Sequence, residues 1–196
     1  MSSKFTFASV GIQPKSFHLE SLSCFTGDLT PLVHYSSASS IPRSVLVQPP
    51  SPGWCATQYL RMMRSFLISN LSLDRSCINT FNNKRIFILR GKSTKNVRDL
   101  SDVSLKCFLD FCLQNDIIPI DPSEYTFSQQ VSIFSCVKAV VGVHGAAFTN
   151  QIFCSPNTKI LELVPFSQAA IPTCYLSSVS DTFWSCIPLQ INSNPV

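Results

Sequence analysis

The sequence predicts an α/β fold, a parallel sheet with helices on both faces, and three observations carry it. From residue 85 onward, runs of strand length alternate with stretches of helical period across short connections. The strand-length runs, such as Arg85-Ile-Phe-Ile-Leu89 and Ala139-Val-Val-Gly-Val143, are apolar throughout rather than alternating, as strands covered on both faces are. Of the 196 residues, 45% are hydrophobic and 13% charged, which suits a buried core and argues against a disordered chain.

Residues 1–53 read as a partial or irregular N-terminal region. They are rich in Ser and Pro, with short strands at Val33-His-Tyr35 and Ser44-Val-Leu-Val47, and Pro49-Pro-Ser-Pro-Gly53 closes the region. Residues 54–196 are expected to form the sheet domain. Trp54 to Ser69 carries Trp54, Tyr59, Leu60, Met62, Met63, Phe66 and Leu67 at helical spacing. That stripe is expected to pack on the core, with Arg61 and Arg64 on the opposite side. Asn70 to Asn83 reads as turn.

Then the alternation begins, with a strand over Arg85–Leu89 and a helix over Asp102–Gln114. A strand at Ile117–Ile120 is placed near an edge by Pro119, which cannot donate to a ladder. Next come a helix over Ser128–Cys136, a strand at Ala139–Val143, a short helix over Phe148–Phe153 and a strand at Lys159–Leu163. A helix near Tyr175–Ser180, the aromatics Phe183 and Trp184, and a polar end complete the chain.

In an open parallel sheet, ligands bind beyond the carboxyl ends of the strands. Three groups converge there: Arg90 and Lys92 after the first of these strands, the turn Val143-His-Gly-Ala-Ala-Phe-Thr-Asn150 after the third, and Glu162 on the fourth. Gly142 and Gly145 bracket Val143 and His144, so backbone can approach a ligand closely. A strand that ends in glycine and opens a helix aims N–H groups at one spot, an anion site. Cations, a helix start and one carboxylate suit a nucleotide diphosphate, the acid accepting from ribose hydroxyls. Plainer readings stand beside these: Glu162 as a strand-end acid paired with Lys159 or Arg90, and His144 as a cap on the turn.

Other chemistries fit less well. Gly91-Lys-Ser-Thr94 follows a strand, but the first glycine of a phosphate-binding loop would fall on Ile86. His144-Gly-Ala-Ala147 has no G-x-S-x-G nucleophile to serve, and no G-x-G-x-x-G occurs. His18 and His34 stand alone, without partners at metal spacing. The 9 cysteines form no C-x-x-C pair and are read as buried free thiols suited to a reducing compartment. A net charge of +4 without a basic arm does not point to nucleic acid. The Lys84–Arg98 stretch, holding six basic residues before Asp99, is a solvated loop or part of the anion site. No apolar run reaches the length of a membrane span, and the N-terminus lacks the apolar core of a signal peptide. The cytoplasm is therefore expected, or the Golgi lumen if the N-terminus is truncated.

Four motifs in order, Lys84-Arg-Ile-Phe-Ile-Leu-Arg90, Tyr125-Thr-Phe-Ser-Gln-Gln130, Val141-Gly-Val-His-Gly-Ala-Ala-Phe-Thr-Asn-Gln-Ile-Phe153 and Ile160-Leu-Glu-Leu163, resemble the carboxyl-terminal half of family 61 glycosyltransferases. The likeness covers roughly residues 54 to 190. Departures are Leu89 for a serine, Ala147 for a second glycine, and Asp102-Val103 where the family has Asn-Glu. The resemblance implies a GT-B architecture whose Rossmann-like second half holds a nucleotide sugar, UDP-linked. It implies inverting transfer to a hydroxyl of a glycan or polysaccharide, with no cofactor and no obligatory metal; no Asp-x-Asp occurs in the chain. By carry-over, Arg90, His144, Gly145, Ala146, Thr149, Asn150 and Glu162 line the donor site, and Lys92 joins them by its position. The resemblance does not name the catalytic base, for which Asp28 and His34 are the nearest candidates. Residues 1–53 are short for a first Rossmann-like half, so a partner supplying that half, or a divergent relative that binds without turnover, is the alternative.

Overall fold

The computed structural model describes residues 8–10, 33–35, 57–89, 101–165 and 171–189. Two short strands, β1 (Ala8–Val10) and β2 (Val33–Tyr35), pair in parallel, with Ser9 opposite His34. Only the second was expected. The expected strand at Ser44–Val47, the break at Pro49–Gly53 and the start of the first helix at Trp54 lie outside the described residues.

The main element order is α1 (Thr57–Asn70), α2 (Arg75–Phe81), β3 (Arg85–Ile88), α3 (Asp102–Gln114), β4 (Ile117–Ile120), α4 (Phe127–Cys136), β5 (Ala139–Val143), a 3-10 helix (Ala146–Phe153), β6 (Lys159–Pro165), α5 (Ile171–Ser180) and β7 (Phe183–Leu189). Strands β3 to β7 form one sheet, all parallel, in the order β4-β3-β5-β6-β7. This is an α/β, Rossmann-like arrangement, as expected. Among the described residues no helix is long and apolar enough to cross a membrane.

Strand periodicity sorts the core into two layers. Ile86 and Ile88 of β3, Val140 of β5 and Ile160 of β6 join Leu67, Phe81, Val131, Phe134 and Phe148 in one cluster. Phe87, Val143 and Leu163 project the other way, onto Cys112 and Phe108 of α3. Phe87 and Phe108 stack there with ring centroids 5.6 Å apart. Position 142 faces the first layer and is glycine because there is no room for a side chain: a Cβ there would lie 2.9 Å from Ile88 Cβ and 3.2 Å from the Ile88 carbonyl oxygen.

Two elements differ from expectation. The turn-like stretch before β3 contains α2, started by Asp74, whose carboxylate accepts from the N–H groups of Ser76 (2.9 Å) and Cys77 (3.1 Å). The polar end contains β7, parallel to β6 at the sheet edge, where Pro188 costs no interior ladder bond. Two further helix starts carry side-chain caps. Thr126 and Gln129 form a reciprocal capping box at α4, and Ser101 caps α3.

Helix α1 turns a different face inward from the one expected. Tyr59, Met62 and Phe66 are exposed, while Leu67 is buried and Met63 packs on the core. Arg64 reaches inward: its Nε donates to the carbonyl of Ile152 (2.6 Å) and its Nη2 to that of Cys154 (3.0 Å). Arg61 donates to the carbonyl of Ser178 (2.7 Å). Both arginines satisfy carbonyls at helix carboxyl ends, which prefer a cation to an apolar side chain.

The thiols also divide. Cys77, Cys112 and Cys154 are buried and free, but Cys107, Cys174 and Cys186 are exposed. Burial pushes Cys136 up to about 11 and raises Cys154 further, so both stay protonated and unreactive.

Candidate functional site: a buried acid behind His144

Strand β5 ends at Val143, but its ladder runs one residue further: His144 N–H donates to the carbonyl of Leu163 at 2.9 Å. His144 thus stands two positions beyond Gly142 and projects to the same face of the sheet. Glu162, directly opposite Gly142 on β6, projects to that face too. His144 Nδ1 lies 2.6 Å from Glu162 Oε1.

Glu162 is in the middle of β6 and not at its end, and none of its surface meets solvent. A carboxylate there needs donors on both oxygens. Oε1 has His144. Oε2 accepts from Thr173 Oγ1 of α5 and from Trp184 Nε1 of β7, the latter at 3.0 Å. Trp184 reaches it because it stands on the same face, two residues before Glu162's register partner Cys186. Among the described residues the buried acid pairs with His144 and not with Lys159, and both of its oxygens are engaged by side chains; Arg90 lies outside those residues.

Beyond His144 the chain turns through Gly145 into the 3-10 helix. Gly145 is extended, with φ 177°, so its backbone conformation does not require glycine. No side chain caps the helix start, and its first turn closes where Phe148 N–H donates to the Gly145 carbonyl (3.0 Å). Ala146 and Thr149 are exposed on this turn, with Thr149 Oγ1 donating to the Ala146 carbonyl at 2.7 Å. Asn150 turns the other way. It is buried, and its Nδ2 donates to Gln130 Oε1 at 2.9 Å, tying the 3-10 helix to α4. Gln130 in turn donates to the carbonyls of Pro122 (2.8 Å) and Tyr125 (3.0 Å).

The structure thus joins His144, Gly145, Ala146 and Thr149 in one lip at the carboxyl edge, sets Glu162 behind it, and commits Asn150 to the core. Arg90 and Lys92 lie outside the described residues, as does Asp28; His34 is in β2, and its side chain is likewise outside them. The sequence reading missed Thr173 and Trp184. A tryptophan two positions before the partner of a buried acid is a signal only once β7 is recognised as a strand.

Such a lip can hold an anion at the helix start and pass a proton through a ring whose other nitrogen is backed by a carboxylate. The sequence model of the family described as Glycosyltransferase 61 matches residues 15–161, most of the chain. The chain belongs to glycosyltransferase family 61. No curated protein matches it. The family match begins well before residue 54, where the motif likeness starts, so it takes in much of the N-terminal region. At the other end it stops one residue short of Glu162. The His144–Asn150 turn lies inside the matched region; the acid behind it, with Thr173 and Trp184, lies beyond.

Proposed function

We propose that this family 61 glycosyltransferase moves a sugar from a nucleotide sugar, UDP-linked, to a hydroxyl of a glycan or polysaccharide, with inversion and without an obligatory metal. The observation that carries this reading is the His144 lip: a carboxylate-backed imidazole and an uncapped helix start at the ligand-binding edge of a parallel sheet, within the region the family model matches. The departing nucleotide diphosphate gains negative charge at the bond being broken. The helix start stabilises that charge through its N–H groups, and the ring adds a donor when it carries both protons. Arg90 and Lys92, which follow β3 in sequence, add cations to the same diphosphate. Inversion requires a base on the acceptor side, and no residue is assigned to it.

The test is a thermal-shift panel of nucleotide sugars on the wild type and on His144→Ala. A UDP-sugar is expected to raise the melting temperature of the wild type alone. Equal shifts in both proteins would remove His144 from the donor site, and no shift with any nucleotide sugar would remove the donor class.

A further inference from the structure

We propose that Glu162, Thr173 and Trp184 form a positioning unit that fixes the tautomer of His144, with the proton on Nδ1 and the lone pair on Nε2 in the neutral ring. The inference rests on the donor and acceptor inventory of four side chains. Trp184 Nε1–H is a donor only, and Thr173 Oγ1 also donates to Glu162 Oε2, so that oxygen carries no proton of its own. A single proton then lies between Glu162 Oε1 and His144 Nδ1, 2.6 Å apart, and an ionised carboxylate assigns it to the ring. Nε2, across the ring from this buried contact, is the nitrogen set toward the lip. His144 keeps 14% of its side chain exposed against 0% for Glu162, so the ring bridges the buried acid and the open edge.

The same inventory makes a sharp prediction for Glu162→Gln, which hardly changes shape. An amide has one acceptor and one donor end. Trp184 cannot accept, so the amide oxygen must take the Oε2 place and the NH2 must face His144. That NH2 needs an acceptor, so Nδ1 gives up its proton and the neutral ring becomes the Nε2–H tautomer. A residue that merely fills space would not reverse the ring in this way.

The experiment is 15N spectroscopy of histidine-labelled full-length protein at a pH where the ring is neutral. The His144 signal is assigned by its absence in His144→Gln, and folding is checked by circular dichroism. In the wild type, Nδ1 should show the protonated nitrogen resonance and Nε2 the unprotonated one; the reverse overturns the proposal without any variant having to fold. In Glu162→Gln the two should exchange, while Trp184→Phe alone should keep the wild-type pattern, because the carboxylate still accepts. Adding Trp184→Phe to Glu162→Gln should return part of the Nδ1–H signal, since the amide is then free to turn over. An unchanged ring in folded Glu162→Gln overturns the proposal. The importance of this tautomer for sugar transfer rests on the proposed function, but the spectra need no substrate. Exchanged resonances in a protein that binds no nucleotide sugar would keep the positioning unit and remove the donor reading alone.

Discussion

At the amino edge of the sheet, Asn83, Asp116, Asn157 and Asp181 carry the chain into β3, β4, β6 and β7 with φ of 56, 52, 69 and 55°. These short polar side chains tolerate the left-handed region in place of glycine. Backbone bonds stitch the turns to one another: Asn83 N–H to Cys136, Lys138 to Lys84, Lys159 to Lys138, Phe183 to Thr158. Every one of these contacts is main chain, and none involves a buried titratable side chain. At the carboxyl edge the exit of β5 is built in the opposite way, from side chains. A buried acid on β6 holds a histidine beside an uncapped helix start. Backbone stitching makes an edge rigid whatever its side chains are. Side-chain stitching ties the same stability to groups that can also do chemistry.

That contrast can be broken at several points. The largest effect is expected from Glu162→Ala, which leaves three donors facing a buried void. It should cost about 3–5 kcal/mol, read as a fall in the urea midpoint. A variant within 1 kcal/mol of wild type would mean that water already serves those donors. Gly142→Ala comes next, at about 1–3 kcal/mol, because its methyl group meets Ile88 Cβ at 2.9 Å. Loss of nucleotide-sugar binding beyond that destabilisation would show that the exit of β5 is displaced as well.

At the other edge, Asn157→Ala should cost about 1 kcal/mol, since alanine resists a φ of 69°. Asn157→Gly should restore the loss, and neither variant should change binding of a nucleotide sugar. The smallest effect depends on pH. The Ser76 hydroxyl, the Cys77 N–H and the Gln129 amide hold Asp74 at about 2, below its ordinary 3.8. A depressed carboxylate stabilises the fold fully above its unfolded value. Its contribution drains away as pH falls from about 4 toward about 2. Asp74→Asn keeps an acceptor for the helix cap but loses the charge, so it should lower the melting temperature slightly at neutral pH and flatten the profile below about pH 4.

The parallel sheet could be read from continuous apolar runs, because a strand covered on both faces has no polar period to disguise it. Helices α3 and α4 were read from spacing to within a residue or so of their starts, where Ser101 and Thr126 cap them. Helix α2 was missed although Asp74 announces it, because seven residues give too short a period to count. Strand β7 was missed because an edge strand half open to solvent lacks the apolar run of its neighbours. The stripe on α1 misled: Met62 and Phe66 share the period of Leu67 but not its face, and Arg64 turns inward because two carbonyl groups await it.

Composition and spacing alone carried the α/β class and the order of strands and helices around the His144 turn, all consequences of local patterns a few residues long. The role of Glu162 was of another kind. Its partners follow β5, or come from α5 and β7, and are brought together by strand register. An isolated acid in an apolar strand looks the same whether it faces a ligand or holds a ring. Which it does depends on the donors that folding sets against each oxygen.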